Sequence, residues 1–326
     1  MTGVQTCALP ISPRRILLTS IESDHQDYYP DYQSIFEAYG EYLDSLPAGG
    51  LLVYCADDPG AVAAASRLKK LRSDLRFAPY GTKAEGPWRI ESIGQEEGRS
   101  LFRISAFRET LELHLPGAHL VLDAVAALAL AEDIFRDWKG RAPGREEWWS
   151  MKQALAAFAG SKRRSEIIGS AGGVLFLDDY AHHPTALAAT IQGIKAFWPS
   201  RRLVVDFMSH TYSRTAALLD EFAASLDGAD CLLLHGIYSS ARERPIPGIN
   251  GLSLYEKVRI RRPELSGGRA KATGFLYYSE KPLDAIEDLT RLLRPGDLFI
   301  TMGAGDNWKL GAAALKRMKE GDFNDV

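Results

Sequence analysis

Three stretches of this 326-residue chain crowd titratable side chains just beyond apolar runs. Asp178-Asp179-Tyr180-Ala181-His182-His183-Pro184-Thr185 follows Val174 to Leu177. Met208-Ser209-His210-Thr211-Tyr212-Ser213-Arg214 follows Leu203 to Phe207, and Glu22-Ser23-Asp24-His25-Gln26-Asp27 follows Ile16 to Thr19. Imidazoles carry protons near neutral pH, a guanidinium grips a carboxylate or phosphate through two parallel hydrogen bonds, and carboxylates with an imidazole hold a divalent cation. Each stretch also has an ordinary structural reading: a helix capped by His183 or Thr185, a helix start bearing a surface arginine, and a solvated acidic loop. Lys162-Arg163-Arg164 is either a solvated linker or a neutraliser of phosphate. Met302-Gly303-Ala304-Gly305-Asp306-Asn307-Trp308 lacks the third glycine of a dinucleotide fingerprint, and the sequence contains no G-x-x-x-x-G-K-[ST] loop.

These residues need a scaffold that gathers strand ends, and the hydrophobic pattern supplies one. Short apolar runs at Val174 to Leu177, Leu203 to Phe207, Cys231 to Leu234, Phe275 to Tyr278 and Leu298 to Thr301 alternate with helical stretches. That pattern predicts a Rossmann-like, mostly parallel sheet whose ligands gather beyond the carboxyl ends of its strands. Pro184 to Phe197 carries Leu187, Ile191, Ile194 and Trp198 at helical spacing, and Ser213 to Leu226 reads as one helix burying Leu218, Leu219, Phe222 and Leu226. Upstream, a strand at Ile16 to Thr19, a helix over Tyr32 to Leu46, a strand at Leu51 to Cys55 and a helix opened by Asp57-Asp58-Pro59 form an α/β unit. Trp88 to Leu115 reads as short antiparallel strands, followed by helices at Leu120 to Phe135 and Glu146 to Phe158. The domain boundary is therefore placed at Gly160 to Arg164, giving domains 13–164 and 165–326. Residues 1–12, uncharged and aperiodic, are expected to be foreign to the native chain and do not form a signal peptide.

A hydrophobic content of 46% supports packed cores, and a net charge of −3 gives no basic surplus for nucleic acid or anionic membranes. The longest apolar run, near Leu120 to Leu130, is too short to span a bilayer. Cys7, Cys55 and Cys231 form neither a disulfide framework nor a zinc pattern, which fits a reducing cytoplasm.

In order, TSIESDHQDYY, PGAHLVLDAVAALALA, FAGSKRRSEIIG, LDDYAHHPTAL, MSHTYSRTAALLDEFA and MGAGDNW resemble the Mur ligases, and within that family its alanine-adding branch. The resemblance runs from about Pro13 almost to the end of the chain. It implies part of a central ATP-binding domain without its P-loop and a C-terminal amino-acid-binding domain. The implied reaction is ATP-dependent: UDP-N-acetylmuramate is activated as an acyl phosphate and joined to L-alanine, with Mg2+ assisting. The implied magnesium ligands are His25 and Glu22, with Asp24 in the same motif. Lys162, Arg163 and Arg164 face the ATP phosphates, Asp179 the ribose, and His119 and Asp123 the adenine side. Tyr180, His182, His210 and Arg214 line the amino-acid and reaction site, Arg214 gripping the alanine carboxylate.

Two departures from the family's motifs stand out. The adenine-side His-Asn-x-x-Asn appears as His119-Leu120-Val121-Leu122-Asp123, and His-Arg-Tyr-Ser-Arg appears as His210-Thr211-Tyr212-Ser213-Arg214. Three other readings compete: a family member that recycles a murein tripeptide, a noncatalytic nucleotide-binding module, and a dehydrogenase built on the Gly303 turn. With the phosphate cradle missing, the chain alone is expected to be inactive.

Overall fold

The computed structural model describes residues 13–23, 28–96, 98–239, 243–266 and 274–321. It divides into two compact units, Met1–Ile93 with Phe102–Leu111 and Val121–Leu155, and Gly94–Leu101 with Glu112–Leu120 and Ala156–Val326.

In the first unit a parallel sheet is ordered β1-β2-β3, with β1 at Arg15–Leu18, β2 at Leu51–Cys55 and β3 at Arg76–Tyr80. Every residue of β2 is buried, as expected of a central strand covered on both faces. β3 tolerates Pro79 because it is an edge strand, where a missing N–H costs no ladder bond. Between the strands lie α1 (Tyr32–Asp44) and α2 (Pro59–Leu71), each opened by an aspartate. Asp31 accepts from Ser34 N, and Asp58 accepts from Ala61 N at 2.6 Å with Pro59 in the first turn. Asp57, expected at that helix start, instead accepts from the amides of Thr82 and Lys83 beyond β3.

The strands β4 (Ile90–Glu96), β5 (Arg99–Ile104) and β6 (Phe107–Leu113) form a three-stranded sheet in sequence order, as the short runs predict. Two helices follow, α3 (Ala118–Lys139) and α4 (Arg145–Ala156). Asp133 of α3 is 7% exposed and is paired with Arg15 and Arg76, tying the helix to β1 and β3.

The second unit holds a six-stranded sheet ordered β11-β10-β9-β12-β8-β7. Its strands are β7 (Glu166–Ala171), β8 (Val174–Asp179), β9 (Arg202–Phe207), β10 (Cys231–His235), β11 (Leu276–Ser279) and β12 (Asp297–Met302). All neighbours are parallel except β7 with β8, a hairpin turned by Gly172-Gly173. Its helices are α5 (Pro184–Phe197), α6 (Tyr212–Ala217), α7 (Leu219–Ser225), α8 (Gly251–Arg261), α9 (Ile286–Leu292) and α10 (Trp308–Gly321). Leu187, Ile191, Ile194 and Trp198 of the α5 region all enter the core, as their spacing predicts.

The single helix expected over Ser213 to Leu226 is instead two, α6 and α7, broken at Leu218 where φ is −121°. Apolar spacing is unbroken across Leu218 and Leu219, so periodicity alone does not reveal the kink. Phe222 and Leu226 are still fully buried.

Candidate active site

Strand register brings the second unit's chemistry-bearing turns to one edge. Met302 pairs with both Asp179 and Phe207, and Phe207 pairs with Leu234. The chains leaving β8, β9, β10 and β12 therefore depart at one level, the place where an open parallel sheet gathers its ligand.

A row of side chains crosses this edge. The Arg163 guanidinium lies 4.9 Å from the Tyr180 ring centroid, and the Tyr180 and His182 rings are 5.0 Å apart. His182 lies 6.2 Å from His210, and His210 stacks on Tyr238 at 5.9 Å. Arg214, only 5% exposed, points Nη1 at His210 Nδ1 at 3.4 Å. The structure thus brings together Arg163, Tyr180, His182, His210 and Arg214 of the sequence-predicted residues. It adds Tyr238, which the sequence reading missed because a lone tyrosine beyond β10 carries no motif.

The partners fix the imidazole protons. His182 Nδ1 lies 2.8 Å from the Tyr180 carbonyl oxygen, which can only accept, so Nδ1 carries the hydrogen and Nε2 the lone pair of the neutral ring. A guanidinium can only donate, so His210 Nδ1 accepts from Arg214 and neutral His210 carries its hydrogen on Nε2. In the neutral rings Nε2 is therefore an acceptor on His182 and a donor on His210. His183 is the N-cap of α5, its Nδ1 accepting from Thr185 N at 3.4 Å, so one of the two neighbouring imidazoles has a structural task.

Much of the remaining charge holds the frame. Arg163 has φ of 57°, donates through Nε to Asp178 at 2.9 Å and through Nη2 to the Gly303 carbonyl at 2.8 Å. Asp178 also accepts from Thr301 Oγ1 at 2.7 Å. Asp179 is 4% exposed; its Oδ2 accepts from Ser165 N and Oγ, and its Oδ1 from Ala181 N. Burial pushes the Asp179 carboxyl up, against the lowering effect of those donors and of Arg164. Lys162 and Arg164 on either side of Arg163 are exposed.

Beneath the edge lies a buried polar trio that the sequence reading did not single out. His235 Nε2 lies 2.6 Å from Asp206 Oδ2, His235 Nδ1 lies 2.9 Å from the Ser279 carbonyl, and Asn307 Nδ2 donates to Asp206 Oδ1 at 2.5 Å. Both His235 and Asp206 side chains are 0% exposed. Burial pulls the His235 pKa down, yet the Asp206 carboxylate and the Ser279 carbonyl outweigh it and hold it above the ordinary histidine value.

His119 is half-buried in the second unit, packed so closely on Gly117 that a Cβ there would meet its ring at 2.5 Å, whereas Asp123 is exposed and belongs to the first unit. Glu22 is half-buried in the first unit, and the predicted metal histidine His25, with Asp24, lies outside the described residues. Among the described residues no three His, Cys, Asp or Glu side chains gather as a metal-binding group, and no helix is long and apolar enough to cross a membrane.

Comparison with known proteins places this geometry among relatives. Residues 4–131 match the Mur ligase middle domain and residues 163–305 match the Mur ligase glutamate ligase domain. The UDP-N-acetylmuramate–L-alanine ligase of Treponema pallidum (strain Nichols) is 43% identical over 312 residues, which cover 96% of this chain and 62% of that protein. The enzyme of the same name from Desulfosudis oleivorans is 36% identical over 94% of this chain and 62% of its own length. The chain thus spans about three fifths of the relatives it matches. Among solved structures, the UDP-N-acetylmuramate-alanine ligase of Thermotoga maritima has a TM-score of 0.64 at 20% identity, covering 95% of this chain and 60% of that one. A folylpolyglutamate synthase of Mycobacterium tuberculosis, solved with ADP and AMPPCP, also has a TM-score of 0.64 at 20% identity, covering 93% and 63%. At that identity the likeness is one of fold.

Proposed function

Because the chain belongs to the Mur ligase family, carrying its middle domain and its glutamate ligase domain, we propose that it is the acceptor-binding part of an ATP-dependent ligase that joins L-alanine to UDP-N-acetylmuramate for peptidoglycan precursor synthesis. The observation that carries this reading is the convergence of His182, His210 and a buried Arg214 on one sheet edge. The names of the relatives support alanine, rather than a tripeptide, as the acceptor.

A carboxylate is a poor electrophile, and ATP supplies the phosphoryl group that activates it. The chain's own task is then to present a neutral amine. Arg214 grips the amino-acid carboxylate through its planar fork. His182 Nε2, the lone-pair nitrogen, takes the proton that the attacking ammonium must shed, and His210 Nε2–H donates to oxygen where negative charge accumulates. Tyr180 and Tyr238 flank the two imidazoles and restrict their rotation.

For the nucleotide, Lys162 and Arg164 fit as exposed cations beside an arginine already committed to Asp178. The Asp179 carboxylate, with both oxygens occupied, holds the linker at Ser165. For magnesium, Glu22 is the described member of the proposed pair, and an ion held by one or two protein groups takes its remaining oxygens from water and the nucleotide phosphates.

The test is a titration of the 15N-labelled chain with L-alanine, followed on the His182 and His210 ring signals. Shifts that saturate, and are absent with L-Ala-γ-D-Glu-diaminopimelate, are expected. No shift at about 10 mM, well above millimolar dissociation constants, overturns the acceptor assignment.

A further inference from the structure

The helix that carries Arg214 has an unusual start. α6 is six residues long, and its N-cap, Thr211, has φ of 65° and makes no side-chain cap. A β-branched residue in that region is strained, and such backbone persists only where its surroundings hold it. The surroundings here come from the segment beyond β10. Thr211 N donates to the Tyr238 carbonyl at 3.0 Å, Tyr238 N donates to the Ser209 carbonyl at 2.9 Å, and the Tyr238 ring stacks on His210.

Five residues past Tyr238, Glu243 completes the arrangement. Its Oε2 accepts from Tyr212 N at 2.7 Å and its Oε1 from Ser213 N at 2.8 Å. One carboxylate, about thirty residues away in sequence, thus supplies the cap that Thr211 does not. Burial pushes the Glu243 carboxyl up, but the hydrogen bonds from Ser213 and Tyr212 outweigh it and hold it below the ordinary carboxylate range.

We propose that Glu243 is a positioning residue for the acceptor site: by clamping the Tyr212 and Ser213 amides it holds the strained Thr211 turn, and through it sets Arg214 beside His210. This rests on the assignment of His210 and Arg214 to the acceptor, and it adds a residue that touches neither the acceptor nor the reacting atoms. The two side chains between Thr211 and Arg214 are not the agents; the backbone they carry is.

The experiment compares the full chain with Glu243→Ala and Glu243→Gln. Three quantities are read: thermal midpoint, amide exchange at Tyr212 and Ser213, and L-alanine affinity from the ring-signal titration. Glu243→Ala is expected to expose both amides, move the His210 Nδ1 signal and weaken L-alanine binding at least tenfold, with a midpoint close to that of the parent. Glu243→Gln keeps one acceptor oxygen and is expected to fall between them. If Glu243→Ala binds L-alanine as tightly as the parent, or leaves the His210 signal where it was, the positioning role is wrong while the acceptor reading stands. If the parent itself does not bind L-alanine, the acceptor reading fails, and the His210 signal of Glu243→Ala alone decides whether the clamp positions the pair. A variant that unfolds is replaced by Glu243→Gln with the same criteria.

Discussion

Replacing Asp206 tests whether the buried His235 is an imidazolium, and the magnitude follows from its surroundings. The Asp206 and His235 side chains are 0% exposed, and the ring nitrogens are both engaged, Nδ1 with the Ser279 carbonyl and Nε2 with Asp206. Since the carbonyl only accepts, Nδ1 carries a hydrogen, and a protonated ring then donates from Nε2 to the carboxylate. Asp206→Ala leaves that charge without a partner and removes one acceptor from Asn307 Nδ2, which keeps the Met302 carbonyl. Breaking a buried pair in this way costs about 3–5 kcal/mol. Asp206→Asn is milder, because the introduced amide can donate to the lone pair of a neutral ring and still accept from Asn307. A charge-assisted bond becomes a neutral one, at a cost of about 1–2 kcal/mol.

The pH dependence separates the two states. The folded His235 pKa is raised above the ordinary value of 6.5, so the pair stabilises fully below that value and the stability is lost as pH rises toward the folded pKa. Above 6.5 the unfolded ring has shed its proton while the folded ring keeps it, giving a slope of up to about −1.4 kcal/mol per pH unit. Hydrogen exchange of the β9 and β10 amides at pH 6, 7 and 8 reads this locally, without requiring the two units to unfold together. Asp206→Ala is expected to raise amide opening at least about a hundredfold at pH 6, the factor that corresponds to roughly 3 kcal/mol. The slope is expected in the parent and absent in Asp206→Asn; the difference between them cancels the other six histidines. Equal slopes in the two proteins would show that His235 is neutral in the fold and that the reasoning is wrong.

Two further outcomes are expected from the frame of the site. Gly303→Ala places a Cβ 2.4 Å from the Met208 carbonyl oxygen at φ of 136°, against backbone that cannot give, and should cost about 2 kcal/mol or more, seen as a fall of several degrees in the thermal midpoint. Arg163→Ala removes the partner of a nearly buried Asp178 and the donor to the Gly303 carbonyl, and should cost about 1.5–3 kcal/mol by the same measurement.

What the sequence made legible follows from burial. VLFLDD, RLVVDF, CLLLH and DLFITM are central strands, covered on both faces, so they stand out as unbroken apolar runs. β7 did not stand out: EIIGSA is half-exposed, bulged between Ile167 and Gly169, and too polar to read as a strand. β3 is hidden for a different reason, since Pro79 and an exposed Arg76 look like loop. The turns beyond β8 and β9 were readable because their reactive residues are contiguous. The partners of those residues were not, because sheet order rather than sequence proximity chooses them: Thr301 reaches Asp178 across 123 positions, and Glu243 reaches Ser213 across 30.

The turn Asp178 to His183 shows how a sequence overstates its own chemistry. Six residues in a row carry two carboxylates, a phenol and two imidazoles, and all could be counted toward catalysis. In the fold Asp178 neutralises Arg163 and accepts from Thr301, Asp179 binds Ser165 and Ala181, and His183 caps α5. Those three are spent on holding the turn, and Tyr180 lends its carbonyl to fix the proton of His182. The remaining imidazole, His182, has its Nε2 as the acceptor nitrogen of the neutral ring, and the second imidazole of the site comes from the turn after β9, across β12 from β8. The density of polar residues is therefore the cost of presenting one well-oriented base: a turn that enters a helix directly from a buried strand has backbone donors and a guanidinium to satisfy, and only polar side chains can satisfy them there.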